Sequence, residues 1–337
     1  MMKSMRRTLG AVLLIITGLS IAQAAQPRKD INPALLYLHA FSLFPELNEE
    51  DSRLLGQDNA GDVGDDERAI AGRFDSAFRL ISQARHCTAP CDWGTDVADG
   101  PNALLPNFRK IRTAAYAGIL RARIALADGD QARARDEIIA LSVMSRQGAA
   151  GTSLVGTMIQ VASEMKILDF MAAHFEKIKP QTRTEIAAGL QSGPPRSTVA
   201  DAMLNERTGF QLWILGKLES FRAKEKDNAK VLEQFRTLMA ATFNNESDLA
   251  DRIIEASGGS SAGVIRYIKA VEPHYKNADA IARASSRDIK RATAAFEAEM
   301  NSTTNLLARV IMPNIGKARV KELDFEARLA RLPNEAP

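Results

Sequence analysis

Side chains that usually carry chemistry are thin in this sequence. It holds two tryptophans, four tyrosines, four histidines and two cysteines in 337 residues. So few aromatics argue against a polysaccharide-cleaving cleft, where platforms for sugar rings flank a pair of carboxylates. The histidines, His39, His86, His174 and His274, are scattered, and the chain has no H-E-x-x-H pair. It therefore lacks the usual zinc-hydrolase pattern. No run of alternating β-branched residues stands out, which argues against a sheet-based fold. Beyond the first 24 residues no apolar run reaches 18 residues, so no transmembrane segment is expected in the remainder.

What is present begins with the compartment. Lys3, Arg6 and Arg7 precede an apolar core from Leu9 to Ile21, and Ala22-Gln23-Ala24 follows as a small-x-small site. This is the three-part form of a cleaved signal peptide. Export to the periplasm or medium is expected, with residues 1–24 removed and 25–337 forming a single all-α domain. The chain has 44 Lys+Arg and 41 Asp+Glu, and three of the basic residues lie in 1–24. The rest is formally neutral, which gives no electrostatic reason to expect nucleic acid as a partner. Charge is uneven all the same. Residues 44–99 carry 13 acidic and 5 basic groups, and residues 264–333 carry 8 acidic and 13 basic groups. The two segments are expected to be solvated faces, to dock on each other within one molecule, or to join copies head to tail.

The hydrophobic spacing is helical nearly throughout. Asn32-Pro33 reads as an N-cap with proline at the first helical position, opening a helix that runs toward Pro45. A polar loop with a short turn inside is expected next. Helices are then expected over 66–85, 103–127 (with Pro106 delaying the start), from Asp130 through Met144, and over 152–178, 181–190 and 197–224. Further helices are expected over 228–243, 247–256, 260–283 with a bend at Pro273, 286–307 and 316–332. Gly129 ends one helix and Asp130 caps the next, a hairpin turn like that of tetratricopeptide repeats, although no 34-residue period recurs. The expected architecture is about ten helices in a layered bundle or irregular helical-hairpin superhelix. Ser192-Gly193-Pro194-Pro195-Arg196 is the one place where the domain could subdivide.

Both cysteines lie in one loop, Cys87-Thr88-Ala89-Pro90-Cys91. In an oxidising compartment that spacing predicts a Cys87–Cys91 disulfide joining two helices, worth about 2 kcal/mol for so short a loop. His86 beside them makes only three candidate metal ligands, one short of a structural zinc site. Trp93 is expected to anchor the loop by packing. Gly259-Ser260-Ser261-Ala262-Gly263 matches G-x-S-x-G, but the residues before it are helical, so Ser260 or Ser261 is expected to cap the next helix and Ser261 is not expected as a nucleophile. Ser163-Glu164-Met165-Lys166 matches S-x-x-K without its partner motifs. Ser163 and Lys166 are expected on the polar side of a helix whose apolar side holds Ile159, Ala162, Met165 and Leu168. The acidic run 58–67 lacks the order of an EF-hand and reads as a solvated loop. No catalytic, cofactor-binding or metal-binding residue is assigned.

Three segments together resemble a family of uncharacterised exported all-helical bacterial proteins. They are Asn32 to Leu47, the Cys91-Asp92-Trp93-Gly94 loop with the following Gly100 to Pro106 run, and Asn305 to Ala318. The resemblance implies export and an all-α fold and brings no activity with it. The functional expectation is an exported, non-catalytic helical scaffold or binding module that contacts an envelope protein or its own copy. The alternative is a cell-envelope polymer hydrolase or lyase on a helical fold.

Overall fold

A computed structural model of the chain describes residues 29–56, 61–243 and 248–332; the signal-like segment lies outside them. Every regular element among the described residues is helical. The first helix, α1, spans Pro33–Ser42, followed by α2 (Glu49–Gly56), α3 (Asp65–Gly72) and α4 (Asp75–Ala84). A long loop containing a 3-10 turn at Val97–Asn102 leads into α5 (Phe108–Ala127), α6 (Gln131–Ala149), α7 (Leu154–Ala173) and α8 (Pro180–Ser192). Next come α9 (Val199–Glu206), a π-helical segment at Arg207–Leu212 and α10 (Trp213–Lys224). The chain continues through α11 (Asn228–Thr242), α12 (Leu249–Ala256), α13 (Ser261–Lys269), α14 (Glu272–Ala282), α15 (Ile289–Ser302), α16 (Leu306–Ile311) and α17 (Ile315–Leu329).

The helices outnumber the expected ten because several apolar runs break. Gly72 to Phe74 divides the 66–85 run, with Phe74 fully buried at the corner. Pro273 sits at the start of α14, where a missing N–H costs no intrahelical bond, and the chain restarts there instead of bending. Asn305 caps α16 through Ala308 N at 3.0 Å, which ends the 286–307 run early. The polar stretch read as a loop contains α2, whose Leu55 alone is buried. The α5–α6 hairpin turns as expected: Gly129 has φ +77°, and Asp130 Oδ1 accepts from Arg133 N at 2.9 Å.

Apolar side chains gather in two clusters. One is built mainly from α1 and α3 to α8, with Phe325 and Leu332 from the C-terminal end. The other is built from Leu154, α9 to α16, and Ile315 and Ala318. The division falls between Leu190 and Val199. Helix α17 reaches both clusters, and its buried Glu322 accepts from Val199 N at 3.0 Å. Glu164 on α7, 1% exposed, holds the same junction. It accepts from Arg146 Nε at 2.7 Å and from Arg196 Nε at 2.8 Å, and Arg196 lies over the Phe325 ring. The Ser192–Arg196 turn is thus fixed by charge from within.

Part of the uneven charge is neutralised inside the molecule, and among the described residues no ion pair joins the two segments that carry it. Helix α5 has five basic residues and no acidic one. Its Arg121 pairs with Asp75 and with Glu137 at 2.8 Å, and its Arg123 pairs with Glu67 at 3.0 Å. The acidic segment docks on α5. The basic C-terminal segment is matched nearby, through Arg319–Glu322, Arg283–Asp279 and Arg328–Asp169.

Candidate functional site

The cysteine loop needs the first correction. Cys87 and Cys91 are free thiols, and the expected Cys87–Cys91 disulfide is not formed. Cys87 Sγ turns back along α4 toward Gln83 O at 3.8 Å, while Cys91 packs against the first cluster. Burial pushes the Cys91 thiol up to about 12, and burial followed by Asp30 raises that of Cys87. Both are held as thiols and are poor nucleophiles and metal ligands at neutral pH. His86 Nε2 accepts from Arg85 Nε at 3.0 Å. Burial, with Arg85 and Lys29 nearby, lowers the His86 pKa. Among the described residues no group of three His, Cys, Asp or Glu side chains is placed to hold a metal ion.

The loop is stapled without a covalent bond. Asn32, the cap of α1, donates from Nδ2 to Asp92 O at 2.7 Å and accepts from Asp92 N at 3.1 Å. Trp93 Nε1 donates to Gln147 O at 2.9 Å, and its ring stacks on Tyr37 at 5.8 Å and Phe41 at 6.3 Å. Tyr37 OH donates to the Gln147 side chain. Asn32 and Trp93 therefore do what the cysteines were expected to do.

The catalytic-looking strings are structural. Ser260 Oγ accepts from Gly263 N at 3.1 Å as the cap of α13, and Ser261 N donates to Asn228 Oδ1. Ser163 Oγ donates to Ile159 O at 2.8 Å, and Lys166 lies 4.4 Å over the Tyr116 ring. The expected sidedness of α7 is wrong: Ser163 and Glu164 are buried and Ala162 is exposed, because α5, α6, α9 and α17 all pack on this helix. Of the acidic run, residues 58–60 lie outside the described residues. Its last member, Glu67, is buried against Arg123 and not solvated. His39 is exposed, and His274 Nδ1 meets Glu299 Oε1 at 2.5 Å.

The feature that sequence reasoning missed is a groove of about 800 Å³ beside the N-terminal half of α5. Arg109, Arg112, Thr113 and Tyr116 fall at helical spacing on one face of α5, and Lys110 joins them. The opposite face, with Ile111, Ala114 and Ala115, is buried in the first cluster or against it. The far wall is the segment from Phe44 to Leu47 with Ser52 of α2. Lys110 Nζ stands 5.2 Å over the Phe44 ring. Arg109 and Arg112 are exposed and make no ion pair among the described residues. Nearby Asp51 is already used by Arg73, whose hydrogen bond lowers the Asp51 pKa. Among the described residues Glu46 is the one carboxylate in the wall. The signal was the run of five basic and no acidic residues within α5, which charge sums over longer segments conceal.

A second cavity, of about 350 Å³, lies between α9, the π segment and α14. Its carboxylates are already paired, Glu272 with Arg207 at 2.8 Å and Asp279 with Arg283 at 3.0 Å. No helix among the described residues is long and apolar enough to cross a membrane. Comparison with family models, curated proteins and solved structures finds no match to this chain.

Proposed function

We propose that the chain is an exported helical binding module of the cell envelope, and that the α5 groove seats an acidic, partly apolar segment of another envelope protein. The observation that carries this reading is the cluster of Arg109, Lys110 and Arg112 facing Phe44, Pro45 and Leu47 across about 800 Å³. Uncompensated cations beside apolar walls suit a segment that mixes carboxylates with apolar side chains. The signal-like N-terminus and the resemblance to exported helical proteins support the compartment. A polymer hydrolase or lyase is less well supported, since Glu272 and Asp279 are each neutralised by an arginine.

The test is fluorescence anisotropy with a labelled peptide of alternating glutamate and leucine. The protein should bind it, and affinity should fall steeply as salt rises from about 50 to 500 mM. Arg109→Glu with Arg112→Glu should weaken binding about tenfold or more. Equal binding of a lysine-for-glutamate peptide, or no effect of the double substitution, would sink the proposal. A change in sedimentation on the same substitution would assign the groove to a second copy instead.

A further inference from the structure

We infer that a separate cavity of about 240 Å³, between the C-terminal ends of α5 and α7, binds a small oxyanion, a carboxylate or phosphate group on a molecule of metabolite size. Its lining includes Arg123, His174, Lys177 and Asp62. Arg123 is 4% exposed and His174 5%. Arg123 Nη1 donates to Glu67 Oε1 at 3.0 Å, but its Nε and Nη2 have no hydrogen-bond partner among the described residues. Those two atoms form the side-on edge of the guanidinium, the fork that takes both oxygens of one carboxylate or phosphate. His174 Nδ1 is also buried without a partner. Two buried side chains in one cavity therefore leave polar atoms unsatisfied, where buried polar groups are normally bonded.

The surroundings explain why nothing among the described residues fills the gap. Glu67 has spent both oxygens, one on Arg123 and the other on Gly64 N at 2.9 Å. The last carbonyls of α5 accept from the turn behind them, Ile124 O from Asp128 N and Ala125 O from Asp130 N. Phe170 O of α7 accepts from His174 N, and His174 O accepts from Lys177 N and Ile178 N. The 177–179 turn is fixed in place by Gln131, which donates to Lys177 O and accepts from Lys179 N. Lys177 and Asp62 are both exposed, and their charges offset each other, so recognition rests on the Arg123 fork with His174 beside it. The size suits a small anion and is below that of drug-sized ligand pockets. Burial first, then Lys177 and Arg123, hold the His174 pKa low. An anion entering among these groups reverses that bias and favours the imidazolium.

The test follows the four histidine rings by NMR in the full-length mature protein. Inorganic phosphate, acetate and succinate are titrated separately, with chloride holding ionic strength constant. The expected result is a saturable shift of the His174 ring with phosphate or a carboxylate, and an upward move of its pKa, while His39, His86 and His274 stay put. The stronger ligand identifies phosphate or carboxylate as the class. Arg123→Lys keeps the charge but loses the fork, and should weaken binding about tenfold. Lys177→Ala, at an exposed position that does not threaten folding, should weaken it a few-fold. The inference is overturned if chloride alone saturates the same shift, if none of the three anions shifts His174 by about 50 mM, or if both variants bind as the parent does. The α5 groove variants should leave the His174 response unchanged, which separates this site from the proposed groove.

Discussion

The indole of Trp213 lies flat against the backbone of Gly100, so closely that a Cβ at that position would overlap the ring. Gly100 also has φ +70°. Trp213 belongs to the second apolar cluster, and Trp93, seven residues before Gly100, packs on the first. The loop that carries the cysteines is therefore clamped at both ends, one in each cluster. Gly100→Ala should lose about 1–3 kcal/mol to overpacking in addition to the conformational cost of positive φ. Gly129→Ala is the control, since its φ is +77° but nothing lies within 4 Å of the added methyl. Urea unfolding should show the larger loss at Gly100. Equal losses would mean the indole contact contributes nothing.

Thiol chemistry should follow the burial of the two cysteines. Native, unreduced protein should titrate as two free thiols, with Cys87 alkylated faster than Cys91 near pH 8. Because the Cys91 thiol is raised from 9.0 to about 12, folding favours its protonated form. The sign follows: that stabilisation is present below about pH 9 and is lost as pH rises toward 12. Cys91→Ala should flatten the decline of stability across that window. Finding no free thiol would restore the disulfide.

Glu164 should be among the most sensitive charges in the molecule. Glu164→Ala leaves the buried guanidinium of Arg146 and the largely buried one of Arg196 without their carboxylate, a loss of about 3–5 kcal/mol. Ser163→Ala removes only a local bond to Ile159 O and should cost about 1 kcal/mol or less. Thermal denaturation of the two variants checks both values. A Glu164→Ala loss no larger than that of Ser163→Ala would show that the two halves are held together without this cluster.

Glu206 should respond to pH against the usual carboxylate trend. It is buried, its Oε1 accepts from Leu154 N at 2.7 Å, and burial raises its pKa. A raised carboxyl favours the folded state when protonated, so its contribution is present below about pH 4.5 and lost as pH rises through the folded value. Glu206→Gln keeps an oxygen for Leu154 N and removes the charge. The variant should be more stable than the parent at pH 7 and no more stable at pH 4. A variant less stable than the parent at pH 7 would contradict this.

The helical character was legible because it depends on spacing alone: an apolar residue every three or four positions has one face to bury whatever it meets. Caps were legible for the same local reason, as at Asn32, Asp130 and Ser260, whose side chains act on backbone two or three residues away; the cap at Asn305 was not, because an apolar run continues through it. Residues that must find distant partners were not. A four-residue separation allowed Cys87 and Cys91 to pair, but loop bonds sixty residues apart, from Asn32 to Asp92, left the two thiols in different surroundings. Helix α7 was read with Ala162 on its apolar side and Ser163 on its polar side, yet Ala162 is exposed while Ser163 and Glu164 are buried.

The sequence by itself determined the fold class and most helix starts, which are set by local backbone physics. Only the tertiary structure decided which charges are spent. Arg109 and Arg123 belong to one basic helix and look alike in sequence. One lies open in a groove, and the other is buried with two of its three guanidinium nitrogens unpartnered. Burial and the distance to a carboxylate are properties of packing, and they decide whether an arginine is a structural partner or a free donor.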